Sequence, residues 1–161
     1  MKYNEARPII RSGDLIAQGH GDWKSWTGIK VNLVRFFTRS TYSHVGIAWV
    51  VGGRVMLLEA VMPKLRIFPL SLAGDFFWIP MNAPWTEQTE EFALSKIGVD
   101  YSQKDAIKAF FKPLEDGNVN ECAAYVREVY ELDGIDLGEL SRPDSVVQAA
   151  LERGSDLRFV G

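Results

Sequence analysis

The chain has 161 residues, and we expect a single domain over residues 1–161. It is 47% hydrophobic and 24% charged, so it contains enough apolar material to form a core. The formal net charge of −3 at pH 7 argues against a nucleic-acid-binding protein, because phosphate binding usually needs a basic surface.

Three features of the sequence indicate where the protein is located. No apolar run reaches the roughly 18 residues typical of a membrane span. The N-terminal segment Met1–Arg11 lacks the apolar stretch of a secretory signal. The single cysteine, Cys122, excludes an internal disulfide. These features predict a cytoplasmic or virion-associated protein with no membrane span, and leave open an association with a cell envelope or a virion.

The predicted elements run from strands to helices. A turn enters a short strand that ends near Ala17, and a helix follows at Gly28–Thr38. Four further strands are predicted, at His44–Val51, Arg54–Val61, Leu65–Phe68 and Phe76–Ile79. Three further helices are predicted, at Glu87–Ile97, Glu121–Leu132 and Pro143–Leu151. Because the strands are joined by turns, the order predicts an α+β domain with an antiparallel sheet packed against helices.

Two consecutive glycines separate the two clearest strands and predict a two-residue hairpin turn. In the resulting register the numbers of opposed residues sum to 105, so Gly46 faces Glu59. Side chains alternate along a strand, so His44 and Glu59 share one face as diagonal neighbours, with Cα atoms roughly 7–8 Å apart. A glutamate carboxylate can span that distance to an imidazole ring.

The residues around this pair indicate how it is used. Gly46 and Ala48 share the face of His44 and leave room for an approaching element, so we expect a helix to pack on that face. Glu59 stands among apolar residues, where an unpaired carboxylate is costly. The alternative is that His44 is only a hydrogen-bonded residue at a strand start.

Cys122 falls in the first turn of the helix predicted from residue 121, with Asn118 or Asn120 as the cap. Unpaired backbone N–H groups and the helix dipole favour a thiolate there. The Cys122 backbone N–H is also a candidate oxyanion donor. The alternative is that Cys122, Val126 and Val129 form a core stripe at helical spacing.

Five segments carry a resemblance to a known family through their order and spacing: Ser12–Ile16, Tyr42–Ile47, Leu58–Ala60, Gly98–Tyr101 and Glu121–Val126. Together the segments resemble the permuted papain-like cysteine hydrolases of the NlpC/P60 superfamily, the group that includes YiiX-like and lecithin:retinol acyltransferase-like proteins. In these permuted members the histidine precedes the cysteine. The resemblance implies a circularly permuted papain-like fold.

The resemblance also implies a reaction. Cys122 attacks a carbonyl, His44 accepts and returns the proton, and Glu59 orients His44. A thioacyl-enzyme forms and is hydrolysed or transferred. The implied enzyme is a thiol peptidase or amidase of bacterial or phage origin that binds a peptide or acyl substrate in a cleft and cleaves an amide or ester bond. A peptide link of peptidoglycan is the expected substrate.

Three further residues are expected to bind substrate or contribute to the oxyanion site: Tyr101, Tyr42 and Glu121. Tyr101 matches a family tyrosine near the site, and the alternative for it is an aromatic packing residue. The charge of Glu121 opposes an adjacent thiolate unless the side chain points away. The chain departs from many relatives at Ala123, where they carry serine after the cysteine.

Two alternative functions remain. One is a lipid acyl hydrolase, an acyltransferase or a thioesterase, although the acyltransferase-like branch tends to have a hydrophobic tail that this sequence lacks. The other is a structural or binding domain that retains the fold, for example a phage virion component.

No cofactor or metal is expected. The sequence has no GxGxxG, P-loop or HExxH motif, and two histidines with one cysteine fit no standard zinc spacing. A metal held by His44, Glu59 and Cys122 is the alternative. The other histidine, His20, lies between two glycines in a predicted exposed loop.

Overall fold

A computed structural model describes residues 1–19, 42–61, 64–98, 121–139 and 142–161. The strands are β1 (Leu15–Gly19), β2 (Tyr42–Val51), β3 (Arg54–Val61), β4 (Lys64–Pro69), β5 (Phe76–Ile79) and β6 (Arg158–Val160). The helices are α1 (Tyr3–Ala6), α2 (Glu87–Ser95), α3 (Glu121–Leu132) and α4 (Pro143–Glu152), with a short 3-10 helix at Leu70–Leu72. The helix predicted at Gly28–Thr38 lies outside the described residues.

The six strands form one antiparallel sheet in the order β4-β3-β2-β1-β5-β6. The predicted α+β class with an antiparallel sheet is therefore confirmed. The sequence does not reveal α1, the terminal strand β6, or the pairing of β5 with β1 on the far side of the sheet from β4. These features depend on contacts between distant parts of the chain and have no local pattern.

The hairpin of β2 and β3 has the predicted register. Six opposed pairs run from Gly46 with Glu59 to Val51 with Arg54. Gly52 and Gly53 form the turn with φ angles of +56° and +73°, values that residues with a Cβ rarely adopt. The turn thus fixes the face on which Glu59 lies.

The helices cover one side of the sheet. The larger core contains Val45, Ile47 and Leu58 together with buried residues of α3 and α4. The helix α3 packs against β2 and β3, and α2 and α4 pack beside it. The other side of the sheet carries a smaller core that includes Ala48 and Leu57 and reaches α1 and the 3-10 helix.

The expectation that a helix packs on the Gly46 side of the hairpin is wrong. The continuous apolar stripe of Val45, Ile47 and Leu58 offers more surface to bury, and α3 packs there. Gly46 leaves no room for another element, because a Cβ on it would lie 2.7 Å from the carbonyl oxygen of Leu58 and 3.3 Å from the Cβ of Glu59. The space beside Gly46 is thus filled by β3 itself.

Buried polar contacts fix the segment before β1. Asp14 accepts hydrogen bonds from the indole N–H of Trp78 at 2.8 Å and the backbone N–H of Met81 at 3.1 Å. The hydroxyl of Tyr130 in α3 donates to the carbonyl of Gly13 at 2.7 Å. The Tyr130 bond ties the C-terminal part of α3 to the segment before β1.

Candidate active site

His44 and Glu59 form a close side-chain pair. The Nε2 atom of His44 lies 2.6 Å from Oε2 of Glu59. The Glu59 residue is only 2% exposed, whereas the His44 side chain is 19% exposed. The predicted contact between these two side chains is therefore present in the structure.

The second carboxylate oxygen of Glu59 has its own partner. Arg66 of β4 donates a hydrogen bond from Nε to Oε1 at 2.8 Å, and its Nη2 lies 2.7 Å from the same oxygen in a salt bridge. Arg66 stands directly opposite Glu59 in the pairing of β3 with β4. Each oxygen of the buried carboxylate is thus held by a different positively chargeable group.

Cys122 completes the cluster from the helix side. It lies in the first turn of α3, is 3% exposed, and interacts with His44 closely enough to raise the pKa of the imidazole ring. His44 is the third residue of β2 and Cys122 is the second residue of α3, so the contact forms where both elements begin. The structure thus brings together the three residues that the sequence singles out as catalytic.

The alternative prediction for Cys122, that it belongs to an apolar stripe of α3 facing the core, also agrees with the structure. Cys122, Val126 and Val129 are all buried and belong to the larger core. The same helical face that buries the two valines carries the thiol toward His44 at its first turn. Burial of Cys122 and its contact with His44 are therefore compatible.

The surroundings of His44 raise its pKa. Burial alone lowers the pKa of the imidazole, because it disfavours the charged form. Hydrogen bonds to Cys122 and Glu59, and the negative charges of these two groups, act in the opposite direction. Their combined effect raises the pKa to about 9, so the ring is protonated at pH 7.

Glu59 has a lowered pKa. Burial raises the pKa of the carboxyl, but hydrogen bonds from His44 and Arg66 and their positive charges outweigh burial. Glu59 is therefore ionised at neutral pH despite its burial. A buried carboxylate with this arrangement is a fixed negative charge beside the imidazole.

An irregularity in β2 lies next to His44. Gln18 pairs with His44, whereas the next residue of β1, Gly19, pairs with Tyr42, so Ser43 is an extra residue in β2. Such bulges change the direction of neighbouring side chains and often occur beside active sites. The sequence pattern does not predict this bulge, because one inserted residue leaves the strand signal intact.

The structure places two of the three expected substrate-binding residues. Tyr42 is buried in the larger core with its ring edge-on to Phe77 at 5.5 Å between centroids, and burial raises its pKa. Glu121 begins α3 beside Cys122, and partial burial raises the pKa of its carboxyl. The roles proposed for both residues stay predictions.

Other sequence predictions fall on positions that the structure does not describe. The substrate-binding candidate Tyr101, the loop histidine His20 and the candidate caps Asn118 and Asn120 lie outside the described residues. Their proposed roles remain expectations from the sequence.

Arg66 is the residue that the sequence analysis missed, although a signal for it exists. Val61 pairs with Lys64, so opposed residues of β3 and β4 have numbers that sum to 125. The same reasoning that placed Glu59 opposite Gly46 places Arg66 opposite Glu59. A basic residue at that position is the natural partner for a carboxylate in an apolar strand.

Comparison with solved structures shows a similar fold. No protein-family model matches the chain, and no curated protein sequence matches it. A solved structure, that of the metalloprotein YiiX from Escherichia coli O157:H7, a DUF1105 protein, is similar with a TM-score of 0.50. The two chains are 21% identical, and the match covers 89% of this chain and 81% of YiiX.

The likeness to YiiX is one of fold. It agrees with the YiiX-like part of the resemblance seen in the sequence, and at this identity it carries no activity or ligand over to this chain. In the described ranges of the chain, no helix is long and apolar enough to cross a membrane.

Proposed function

We propose that the protein is a cysteine-dependent hydrolase in which Cys122 is the nucleophile, His44 the acid and base, and Glu59 the residue that orients His44. The observation that carries this proposal is the contact of His44 with Glu59 at 2.6 Å, together with the interaction of the same ring with Cys122. A nucleophile beside a base that is held by a third group is the general signature of covalent catalysis by a side chain.

The resting state is an ion pair. Glu59 engages Nε2 of His44, which leaves Nδ1 as the ring nitrogen for the thiol. The raised pKa of His44 keeps the ring protonated at pH 7, which matches a thiolate and imidazolium pair. Glu59 fixes the ring orientation and stabilises its positive charge.

Attack follows from this state. The Cys122 thiolate adds to the carbonyl carbon, and the oxygen of that carbonyl becomes an oxyanion. Since α3 begins at Glu121, the Cys122 backbone N–H belongs to the helix turn whose N–H groups have no acceptor inside the helix. It is a suitable donor to the oxyanion. His44 then gives its proton to the leaving amine or alcohol, and a thioester remains.

Hydrolysis of the thioester uses His44 as a base. Once Cys122 is acylated, its negative charge no longer raises the pKa of His44. The neutral ring takes a proton from a water molecule, whose oxygen attacks the thioester carbonyl. When this second tetrahedral intermediate collapses, the C–S bond breaks and the acid is released. Cys122 leaves as a thiolate beside the protonated His44, which restores the resting state.

We further propose that the domain is a permuted papain-like fold of the NlpC/P60 superfamily and that its substrate is a peptide link of a cell wall. The order of His44 before Cys122, with a strand carrying the histidine and a helix start carrying the cysteine, supports the fold. The substrate rests on the resemblance of the sequence segments.

The described residues do not fit a metal centre. YiiX is described as a metalloprotein. Among the residues that the structure describes here, no group of three or more His, Cys, Asp or Glu side chains is arranged to hold a metal ion. Arg66 also occupies one oxygen of Glu59 with a positive charge, which opposes a cation at that carboxylate. No step of the proposed reaction runs through a metal.

The first test separates a working cysteine pair from a buried core thiol. The rate at which iodoacetamide labels Cys122 at pH 7 is measured by intact-protein mass spectrometry in wild type, His44→Gln and His20→Gln. We expect His44→Gln to slow labelling and His20→Gln to leave the rate unchanged. Because Cys122 is 3% exposed, the comparison between variants decides, and the absolute rate does not. Equal labelling in all three proteins contradicts the proposal.

The second test identifies the kind of bond that the protein cleaves. Wild type and Cys122→Ser are incubated with purified muropeptides and, separately, with phospholipid vesicles, and the products are identified by mass spectrometry. We expect new peptide termini from the muropeptides with wild type alone, and the same result after treatment with EDTA. Release of fatty acids from the vesicles instead contradicts the peptide substrate and supports a lipid enzyme. Absence of turnover in both assays, together with labelling that does not depend on His44, contradicts an enzyme.

A further inference from the structure

The contacts of Glu59 divide its two oxygens between two partners. Oε2 lies 2.6 Å from Nε2 of His44, and Oε1 accepts a hydrogen bond from Nε of Arg66 and lies 2.7 Å from its Nη2. With its side chain 3% exposed, Glu59 depends on these partners for the solvation that its charge loses on burial. Arg66 therefore affects which oxygen faces His44.

Arg66 is itself held in place. Its guanidinium carbon lies 4.8 Å from the centre of the Phe68 ring, two residues further along β4, in a cation–π contact. The Arg66 side chain is 51% exposed, so its loss removes few packing contacts. A substitution there changes the environment of Glu59 more than it changes the core.

The ionised forms of the cluster alternate in sign along its length. Arg66 is positive, Glu59 negative, the His44 imidazolium positive and the Cys122 thiolate negative. Without Arg66, the His44 imidazolium is the one positive charge among these groups and has to balance the negative charges of both Glu59 and Cys122. Among the described residues, the charged groups that contact Glu59 are His44 from β2 and Arg66 from β4, and Cys122 of α3 acts on it through His44.

We propose that Arg66 is a positioning residue that holds Oε1 of Glu59, aims Oε2 at His44 and keeps Glu59 ionised in mildly acidic solution. This inference rests on the proposed function, because it assigns Arg66 a part in maintaining the cysteine–histidine pair. Protonation of Glu59 removes the negative charge that supports the imidazolium. Loss of Arg66 therefore weakens the pair first at acidic pH.

The test follows the Glu59 carboxyl carbon by NMR between pH 3 and 8, with the signal assigned by its absence in Glu59→Gln. In Arg66→Gln we expect the titration midpoint to rise by about 0.5 to 1 pH unit, a reduced value because Arg66 is half-exposed. Arg66→Lys keeps the charge but loses the two-pronged geometry, so a smaller rise is expected. Arg54→Gln, which removes an exposed arginine from the same hairpin, leaves the midpoint unchanged.

A labelling experiment links the carboxyl to the thiol. The ratio of iodoacetamide labelling rates at pH 5 and pH 7 is expected to fall in Arg66→Gln relative to wild type, by up to about threefold. In a Glu59→Gln background the same substitution should have no further effect, because Arg66 acts through Glu59.

Three results overturn the role of Arg66: an unchanged Glu59 midpoint, a rate reduction equal at both pH values, or an undiminished effect in the Glu59→Gln background. If Arg66→Gln does not fold, a wild-type midpoint in Arg66→Lys also overturns it. Failure of the proposed function looks different, because His44→Gln then leaves labelling at pH 7 unchanged in a protein with native Arg66.

Discussion

At the scale of single residues, the site is a set of paired charges in a largely buried environment. Glu59 is almost fully buried and yet ionised, because His44 and Arg66 each hold one of its oxygens. The intact cluster of charged groups is stable, because each charge is compensated by a neighbour. Removal of one group leaves the others with uncompensated charge in a buried environment.

Glu59→Gln is therefore expected to destabilise the protein. The amide keeps the shape of the side chain but removes the charge that His44 and Arg66 face, and we expect the free energy of unfolding to fall by about 2 to 4 kcal/mol. The measurement is urea denaturation at pH 7. Glu91→Gln, at an exposed position of α2, serves as the control and should change stability by less than about 0.5 kcal/mol. Equal stability of the two variants contradicts a fully ionised, paired Glu59.

At the scale of elements, the hairpin of β2 and β3 determines the site. The sequence predicts its register because two glycines fix the turn and every later pair follows from it. The side on which α3 packs was not predictable from small residues. Gly46 lacks a side chain because β3 approaches it closely, and not because a helix packs there. The apolar stripe of Val45, Ile47 and Leu58 was the better guide to packing.

Gly46→Ala tests the close approach of the two strands. The added methyl group overlaps the Leu58 carbonyl and presses on Glu59, so we expect a loss of about 1 to 3 kcal/mol in stability and a lower His44 pKa. Gly52→Ala has open space around it and costs only about 1 kcal/mol through its positive φ, with the His44 pKa unchanged. Thermal unfolding and a histidine NMR titration of both variants provide the comparison. A Gly46→Ala protein with wild-type stability and titration contradicts the packing described here.

At the scale of the whole molecule, much of the fold followed from local pattern. The hairpin, the strands at residues 65–68 and 76–79, and the helices beginning at Glu87, Glu121 and Pro143 were predictable because turn residues and apolar spacing act locally. The bulge at Ser43, the partner strand of β5 and the contact of Arg66 with Glu59 depend on tertiary packing. The cluster of Cys122, His44 and Glu59 was predictable in part, since the register placed two members and the start of the predicted helix placed the third, while their catalytic roles stay predictions.

The charged cluster should give stability a distinct pH dependence. The His44 pKa is about 9 in the folded protein, above its ordinary value of 6.5, so its contribution is complete below pH 6.5 and disappears as the pH rises through 9. Glu59 has a lowered pKa, so its contribution is present above its ordinary pKa and disappears as the pH falls through the folded value.

The comparison of wild type with His44→Gln isolates the contribution of His44 to stability at alkaline pH. The difference in their free energies of unfolding should shrink by about 3 kcal/mol between pH 6.5 and pH 9. Urea denaturation at several pH values in this range provides the measurement. A difference that is constant with pH shows that His44 titrates alike in the folded and unfolded states, contrary to the charge arrangement described.

The most direct test of the central claim is the NMR titration of the His44 ring in wild type and in Cys122→Ser. The chain has only two histidines, so assignment requires a single histidine variant. We expect a His44 midpoint at about pH 9 in wild type and a clearly lower midpoint in Cys122→Ser, because the thiolate no longer supports the imidazolium. A wild-type midpoint near 6.5 that does not respond to Cys122→Ser contradicts a cysteine–histidine pair at this site.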